Sequence, residues 1–220
     1  MLLDLDGTLV DTLPDLQDVA NELLAELGAD SLSAEEIRGM VGDGALKLLE
    51  RALAARRVAT PDIQPLLARF LSRYEARPAL LSRPYPGVPE VLRQLTGEGW
   101  RCALVTNKPH RAAELLLRAL DLDKFFAVTL GGDSLPVRKP DPGPLLAALA
   151  ALDASTAGAV AVGDHANDLR AAAAAGVPSV FARYGYGELP PGLGFDAAID
   201  AFTELPPRLA ELRRGSPPRG

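Results

Sequence analysis

The 220 residues carry a formal net charge of −6, with 48% hydrophobic and 24% charged side chains, a balance that excludes disordered, collagenous and coiled-coil chains and supports a sizeable buried core. The acidic excess argues against nucleic acid or an anionic membrane as partner, since both need a basic footprint. Cys102 is the single cysteine, so no disulfide framework forms within one chain, and no apolar run approaches the ~20 residues that span a bilayer; a cytoplasmic setting is the expectation.

Residues 2–6 are an apolar run that ends in acids, read as a first strand. Met1 stands so close to Asp4 that this strand is short against the usual ~5–6 residues, which leaves room for a start upstream. Residues 12–83 then read as helices. Leu13, Leu16, Ala20, Leu23, Leu24 and Leu27 form one stripe, ended by Gly28, and Ser33-Ala34-Glu35-Glu36 carries the capping-box signature of a second start. Stretches 45–55 and 61–77 follow, the latter with Ile63, Leu66, Leu67, Phe70 and Tyr74 on one face. Four helices without a convincing strand predict a small bundle inserted after the first strand.

Pro84-Tyr85-Pro86-Gly87 reads as the return linker. Short apolar runs at 101–106, 126–130, 157–163 and 178–182 then alternate with helical patterns at 88–98, 110–120, 142–152 and 166–175; the first of these carries Val88, Val91, Leu92 and Leu95. Such alternation predicts an α/β fold, a doubly wound parallel sheet with helices on both faces. The expected organisation is a core of residues 1–11 and 84–220 with a helical cap over 12–83. The tail 215–220 is expected to fray.

Four polar groups fall at the carboxyl ends of predicted parallel strands, where open α/β sheets place ligands. Asp4 and Asp6 are two apart on an extended segment and project to the same side. Crowded carboxylates are tolerated mainly with a cation or a shared proton, and magnesium suits hard oxygen ligands of this kind. An Asp can also attack phosphorus while a second carboxyl serves as acid and base. The same stretch equally reads as a strand-ending turn.

Asp164 and Asp168, four apart, straddle a strand end and the first turn of a helix; they read as helix caps in isolation and as metal ligands beside Asp4 and Asp6. Thr106 and Asn107 offer a hydroxyl and an amide suited to a phosphate oxygen, or to an N-cap. Lys139 precedes Pro140, which favours an extended lysine backbone and so fixes where the ammonium points. Lys108 and Lys139 are two of only four lysines in a chain with 19 arginines, and both lie in these loops. His165 is a ligand by type, and His110 belongs to a helix start.

With these stations in this order, the chain resembles the haloacid dehalogenase superfamily over nearly its whole length. The matching segments are Asp4-Leu5-Asp6-Gly7-Thr8-Leu9-Val10-Asp11, Val105-Thr106-Asn107-Lys108, Lys139-Pro140-Asp141-Pro142 and Val162-Gly163-Asp164 through Asp168. Val41-Gly42-Asp43-Gly44, Tyr85-Pro86-Gly87-Val88 and Tyr184-Gly185-Tyr186-Gly187 are similar to phosphoglycolate phosphatases within it.

The resemblance implies a Rossmann-like core with Asp4 as nucleophile and metal ligand. Asp6 is then the general acid and base, touching the metal through its backbone carbonyl. Thr106 and Asn107 hold the phosphoryl group, Lys139 neutralises it, Asp164 ligates Mg2+ directly, and Asp168 ligates it or orients its shell. Gly42, Gly44 and Lys47 fall in the cap's specificity loop. His165 stands where Ser is more usual.

The resulting expectation is a Mg2+-dependent phosphomonoesterase acting on a small phosphorylated metabolite, 2-phosphoglycolate first, as monomer or homodimer. Sugar-phosphate phosphatase, pyrophosphatase and phosphoglucomutase-like transferase activities share the same core pattern, which fold resemblance does not separate. Dehalogenation is disfavoured, because that branch has no use for the second acid or the metal carboxylates. Two non-enzymatic rivals are a signalling receiver domain, which would not need the inserted helices, and a catalytically dead binding protein.

Overall fold

A computed structural model describes residues 1–215 of the chain. The expectation of a frayed tail falls on 216–220, outside the described residues, apart from Gly215 at the end of the last helix.

The sheet is organised by its shortest strand. β1 (Leu2–Leu3) pairs in parallel on one side with β4 (Cys102–Val105) and on the other with β6 (Ala161–Gly163). Strands β5 (Phe126–Leu130), β7 (Ser179–Ala182) and β8 (Ala197–Ile199) complete the order β5-β4-β1-β6-β7-β8, all neighbours parallel.

Successive side chains of a strand face opposite sides, and the core divides accordingly. Leu3, Leu104 and Val162 bury against α5 (Val88–Gly97), α6 (His110–Ala119) and α9 (Leu205–Gly215). Leu2, Ala103 and Ala161 bury against α7 (Gly143–Ala151) and α8 (Ala166–Ala175). Helices on both faces protect the backbone of an all-parallel sheet, and because β1 is central, whatever follows Leu3 emerges at the middle of its carboxyl edge.

Several sequence expectations are corrected. The first strand stops at Leu3 because the chain turns at once: Leu5 O accepts from Thr8 N, Leu9 N and Val10 N at 3.2, 3.0 and 3.1 Å, and Gly7 takes φ +82°. The 157–163 strand is confined to 161–163, with a 3-10 turn at 156–158 before it. β8 and α9 were not anticipated. β8 is only three residues long, and α9 opens on Pro206 and Pro207, which read as a breaker yet are tolerated in a helix's first turn, where no intrahelical N–H is required.

Residues 12–83 enter and leave beside a two-stranded antiparallel ribbon, β2 (Val10–Asp11) with β3 (Arg83–Pro84). Between them run α1 (Leu13–Glu26), α2 (Ala34–Arg38), α3 (Ala45–Ala55) and α4 (Gln64–Ala76). They bury a cluster that includes Leu16, Leu23, Ile37, Leu49, Phe70 and Tyr74, joined by Ala112 of α6 and by Tyr186. The α2 start is a capping box, with Ser33 Oγ accepting from Glu36 N at 3.2 Å and Glu36 Oε2 from Ser33 N at 2.8 Å.

The two crossings are clamped by Asp15, a buried carboxylate on α1. It accepts from Leu81 N (2.9 Å), Ser82 N (2.8 Å) and Ser82 Oγ (2.5 Å), tying the outgoing helix to the returning strand. Removing it strands buried donors, so Asp15→Ala is expected to lower unfolding stability by ~3 kcal/mol in urea titration. A loss below ~0.5 kcal/mol would contradict the clamp.

Candidate functional site

Asp4 sits one residue past β1, held by Asp4 N donating to Val162 O at 3.0 Å, with its side chain 11% exposed. Lys139, 4% exposed, reaches it from the loop before α7: Nζ donates to Asp4 Oδ1 (2.7 Å), Asp168 Oδ1 (2.6 Å) and Val105 O (2.6 Å). All three protons of the ammonium are thereby spent. The peptide bond from Lys139 to Pro140 is cis.

Asp164 follows β6, with Oδ1 accepting from Thr8 Oγ1 (2.7 Å) and Oδ2 from Tyr186 N (2.8 Å) and Gly187 N (3.3 Å). Asp168 has two tasks. Beside its bond to Lys139, Oδ2 accepts from His165 N at 2.9 Å, closing the capping box of α8, while His165 Nδ1 accepts from Asn167 N at 3.3 Å. Capping and site membership, read from the sequence as alternatives, are both present.

Donor oxygens of Asp4, Asp164 and Asp168 lie within 4.8 Å of one another. Three carboxylates converging at the end of a sheet form a hard, anionic donor set that fits a divalent cation. The Asp6 carboxylate stands outside this group. Its Oδ1 accepts from Lys108 Nζ (2.9 Å) and Thr12 Oγ1 (2.7 Å), while Oδ2 has no partner among the described residues.

Burial raises the Asp4 carboxyl to about 8; Lys139 opposes the shift, and Asp168 and Asp164 add to it. Asp164 is pushed up to about 7 by burial and then by Asp168, against its bonds from Thr8, Tyr186 and Gly187. For Lys139, burial works against the charge, but Asp168 and Asp4 outweigh it and the ammonium is held above its ordinary range. Lys108 behaves alike, burial being overcome by Asp6 and Tyr74.

Thr106 and Asn107 stand beside this cluster, with Thr106 Oγ1 accepting from Lys108 N at 3.2 Å. The Asn107 amide is committed elsewhere, Nδ2 donating to Lys139 O and to Gly42 O, both at 2.9 Å. Its backbone N–H has no acceptor among the described residues, so the donor this residue can offer an oxyanion is in the main chain.

Gly42 and Gly44 bring the loop before α3 down onto the sheet edge. Gly42 O accepts from Asn107 and from Asn167 Nδ2 (3.2 Å), and Asp43 Oδ1 accepts from Asn167 Nδ2 at 2.8 Å. Their φ values are +114° and +86°, and a Cβ would lie 2.8 Å from the His165 imidazole at Gly42 and 2.8 Å from Asn107 O at Gly44. Lys47 is not part of this contact: it is solvent-facing on α3 and pairs with Glu50 at 2.6 Å.

Sequence reasoning assigned no role to Tyr186, Thr8, Thr12 or Asn167, and noted Lys108 for its rarity, its loop and its place in a matching segment without giving it one. Tyr186 sits in Tyr184-Gly185-Tyr186-Gly187, quoted for the resemblance without a role. Its hydroxyl accepts from Thr12 N (2.6 Å) and Leu13 N (3.0 Å) and donates to Asp11 Oδ1 (2.6 Å), so one ring joins the first turn of α1 to the loop that carries the Asp164 donors. A cavity opens over this edge, floored by Asp4, Asp6, Asp164 and Asp168 and roofed by Leu16, Val41, Leu48, Phe70, Leu71 and Tyr74.

The family model for haloacid dehalogenase-like hydrolases matches residues 1–176. A phosphoglycolate phosphatase of Cereibacter sphaeroides is 44% identical over 216 residues, covering 96% of this chain and 98% of its own. Among solved structures, a predicted phosphoglycolate phosphatase from Haemophilus somnus superposes with a TM-score of 0.90 at 32% identity, covering 94% of this chain and 96% of its own. CbbY from Rhodobacter sphaeroides, in complex with phosphate, gives 0.81 at 30% identity, with 93% and 94% covered.

The raised carboxyls set a sign for metal binding. With both carboxyls raised, a cation held by Asp4 and Asp164 would compete with protons there, and its affinity would fall as pH falls. The same protons favour the metal-free fold below the unfolded carboxyl value of ~4, and that contribution is lost as pH rises through 7 to 8. The rise in melting temperature on adding Mg2+ is therefore expected to be larger at pH 8 than at pH 6. An equal rise at both would contradict the assignment.

Proposed function

The chain belongs to the haloacid dehalogenase-like hydrolase family as a phosphoric monoester hydrolase, and we propose that it is a Mg2+-dependent phosphatase of 2-phosphoglycolate using Asp4 as nucleophile. The observation that carries this reading is the convergence of Asp4, Asp164 and Asp168 on one point, with Lys139 Nζ 2.7 Å from Asp4 and 2.6 Å from Asp168. The names of the similar proteins supply the substrate.

Asp4, Asp164 and Asp168, with the Asp6 main-chain carbonyl, would hold Mg2+, which when bound neutralises phosphoryl oxygens and orients them toward Asp4. Lys139 pins the Asp4 carboxylate in its attacking position and offsets the charge of its neighbours. Attack by the Asp4 oxygen forms the O–P bond of an aspartyl phosphate as the ester P–O bond breaks. Asp6, whose Oδ2 is unencumbered, gives its proton to the departing alkoxide and then takes one from the water that cleaves the Asp4–phosphoryl bond. Thr106 Oγ1 and Asn107 N–H hold the transferring oxygens. Helices α1–α4 act as the cap over 12–83, excluding bulk water, with Gly42 and Gly44 at the point of closure.

Asp4→Asn keeps the shape of the side chain and removes the nucleophilic charge, so phosphate release by the folded variant is expected to fall at least ~1,000-fold. Full activity in that variant, or turnover untouched by a chelator, contradicts the mechanism. On a Mg2+-supplemented panel, kcat/KM for 2-phosphoglycolate is expected to exceed that for sugar phosphates. A flat profile contradicts the substrate and leaves the chemistry standing.

A further inference from the structure

Lys108 is a buried cation that the proposed chemistry does not use. It is 6% exposed, lies in the turn between β4 and α6, and is fixed there by Lys108 N donating to Thr106 Oγ1 at 3.2 Å and by Lys108 O accepting from Gly132 N at 2.8 Å. Its ammonium lies 2.9 Å from Asp6 Oδ1 and 4.3 Å from the centroid of the Tyr74 ring, on α4. One partner belongs to the sheet and the other to the inserted helices, so the ammonium is positioned by both.

Among the described residues lining the cavity, Lys108 and Lys139 are the only lysines or arginines. Lys139 is saturated by two carboxylates and a carbonyl. Lys108 has one anionic partner, Asp6, and its other neighbour is Tyr74, so of its three protons one remains for a further acceptor. Apart from the Tyr74 hydroxyl the roof is apolar and carries no charge, so an anionic group on the leaving portion of a substrate finds its counter-charge at Lys108.

The spacing is specific. Lys108 binds one oxygen of the Asp6 carboxyl, and the leaving oxygen of a substrate must approach the other to receive a proton. Two hydrogen-bond lengths and the separation of the two carboxyl oxygens, ~8 Å in all and less where the path bends at each atom, therefore separate the leaving oxygen from Nζ at most. A carboxylate carried on the carbon bonded to the leaving oxygen covers ~3 Å of that path and, with one further hydrogen bond, comes within reach of the ammonium. A hydroxyl or a bare alkyl group in the same place supplies no counter-charge.

We propose that Lys108 is the specificity-determining residue that receives the carboxylate of the substrate, which selects phosphate esters of short 2-hydroxy acids over uncharged esters of the same size. This rests on the phosphatase reading above, and it assigns the recognition to a core residue held against Tyr74 instead of to the loop of Gly42, Gly44 and Lys47.

The test compares kcat/KM for 2-phosphoglycolate with that for 2-hydroxyethyl phosphate, in which a hydroxymethyl group replaces the carboxylate. The ratio cancels effects common to both esters, including any change in Asp6. Wild type is expected to favour 2-phosphoglycolate; Lys108→Met is expected to shrink the preference by ~30-fold or more, and Lys108→Arg to retain part of it. A ratio in Lys108→Met within ~3-fold of wild type overturns the proposal.

A measurement on unaltered protein guards against a variant that fails to fold. Glycolate is expected to inhibit hydrolysis of 2-hydroxyethyl phosphate competitively where ethylene glycol at equal concentration does not, and equal effects of the two overturn the proposal. If wild type hydrolyses both esters equally, the phosphatase reading stands and the Lys108 assignment falls. If it hydrolyses neither, the reading itself fails and takes the assignment with it.

Discussion

One ammonium holds together carboxylates that would otherwise drive each other apart. Lys139 lies between Asp4 and Asp168 at 2.7 and 2.6 Å in a setting nearly sealed from water, and Asp164 adds a third acid within 4.8 Å. Buried like charges are costly, and breaking a buried pair by removing one partner typically costs ~3–5 kcal/mol. The fold supplies the compensation in sequence order: β1 presents Asp4, Val105 O at the end of β4 accepts from Lys139, and β6 leads into Asp164 and the first turn of α8 with Asp168. A central β1 is what brings these three strand ends side by side, and burial at this point raises the Asp4 and Asp164 carboxyls.

The inserted helices engage that edge through small, well-defined contacts. Gly42 O is shared by Asn107 and Asn167, the Tyr186 hydroxyl meets the first turn of α1, and Arg38 donates to Gly185 O at 3.1 Å beneath its stacking on the Tyr186 ring. The backbone N–H of Tyr186 meanwhile bonds Asp164, so the placement of the helices and the orientation of an acid in the cluster share one residue. Lys108, between Asp6 and Tyr74, makes the same kind of connection on the other side of the cavity. Position of the helices and electrostatics of the floor are thereby physically coupled.

The alternation of apolar runs with helical patterns made the parallel sheet legible, because strands buried on both faces are continuous apolar segments and surface helices carry a stripe. β8 was not legible: three residues, Ala197 to Ile199, give no period to detect, and their pairing with β7 is a long-range fact. The acids and Lys139 stood out because strand ends place ligands, whereas the use of the Asn107 amide as a brace to Lys139 O and Gly42 O depends on contacts 32 and 65 residues away that no spacing encodes. Lys47 illustrates the reverse. Its neighbourhood in sequence to Gly44 suggested a role, but α3 begins at Ala45 and carries the lysine round to solvent, where it meets Glu50 one turn later. Tyr186 and Lys108 acquire meaning only when the helices lie over the sheet, since each contacts both.

The central claim is that Asp4 itself becomes phosphorylated. Single-turnover reaction with excess protein, quenched in acid and examined by peptide mass spectrometry, tests it most directly. The account predicts a transient phosphoryl group on the peptide that contains Asp4, formed before inorganic phosphate appears and decaying as phosphate is released, and absent from Asp4→Asn. Phosphate released at the full single-turnover rate with no covalent species on that peptide, or a phosphoryl group found on another residue, would contradict it.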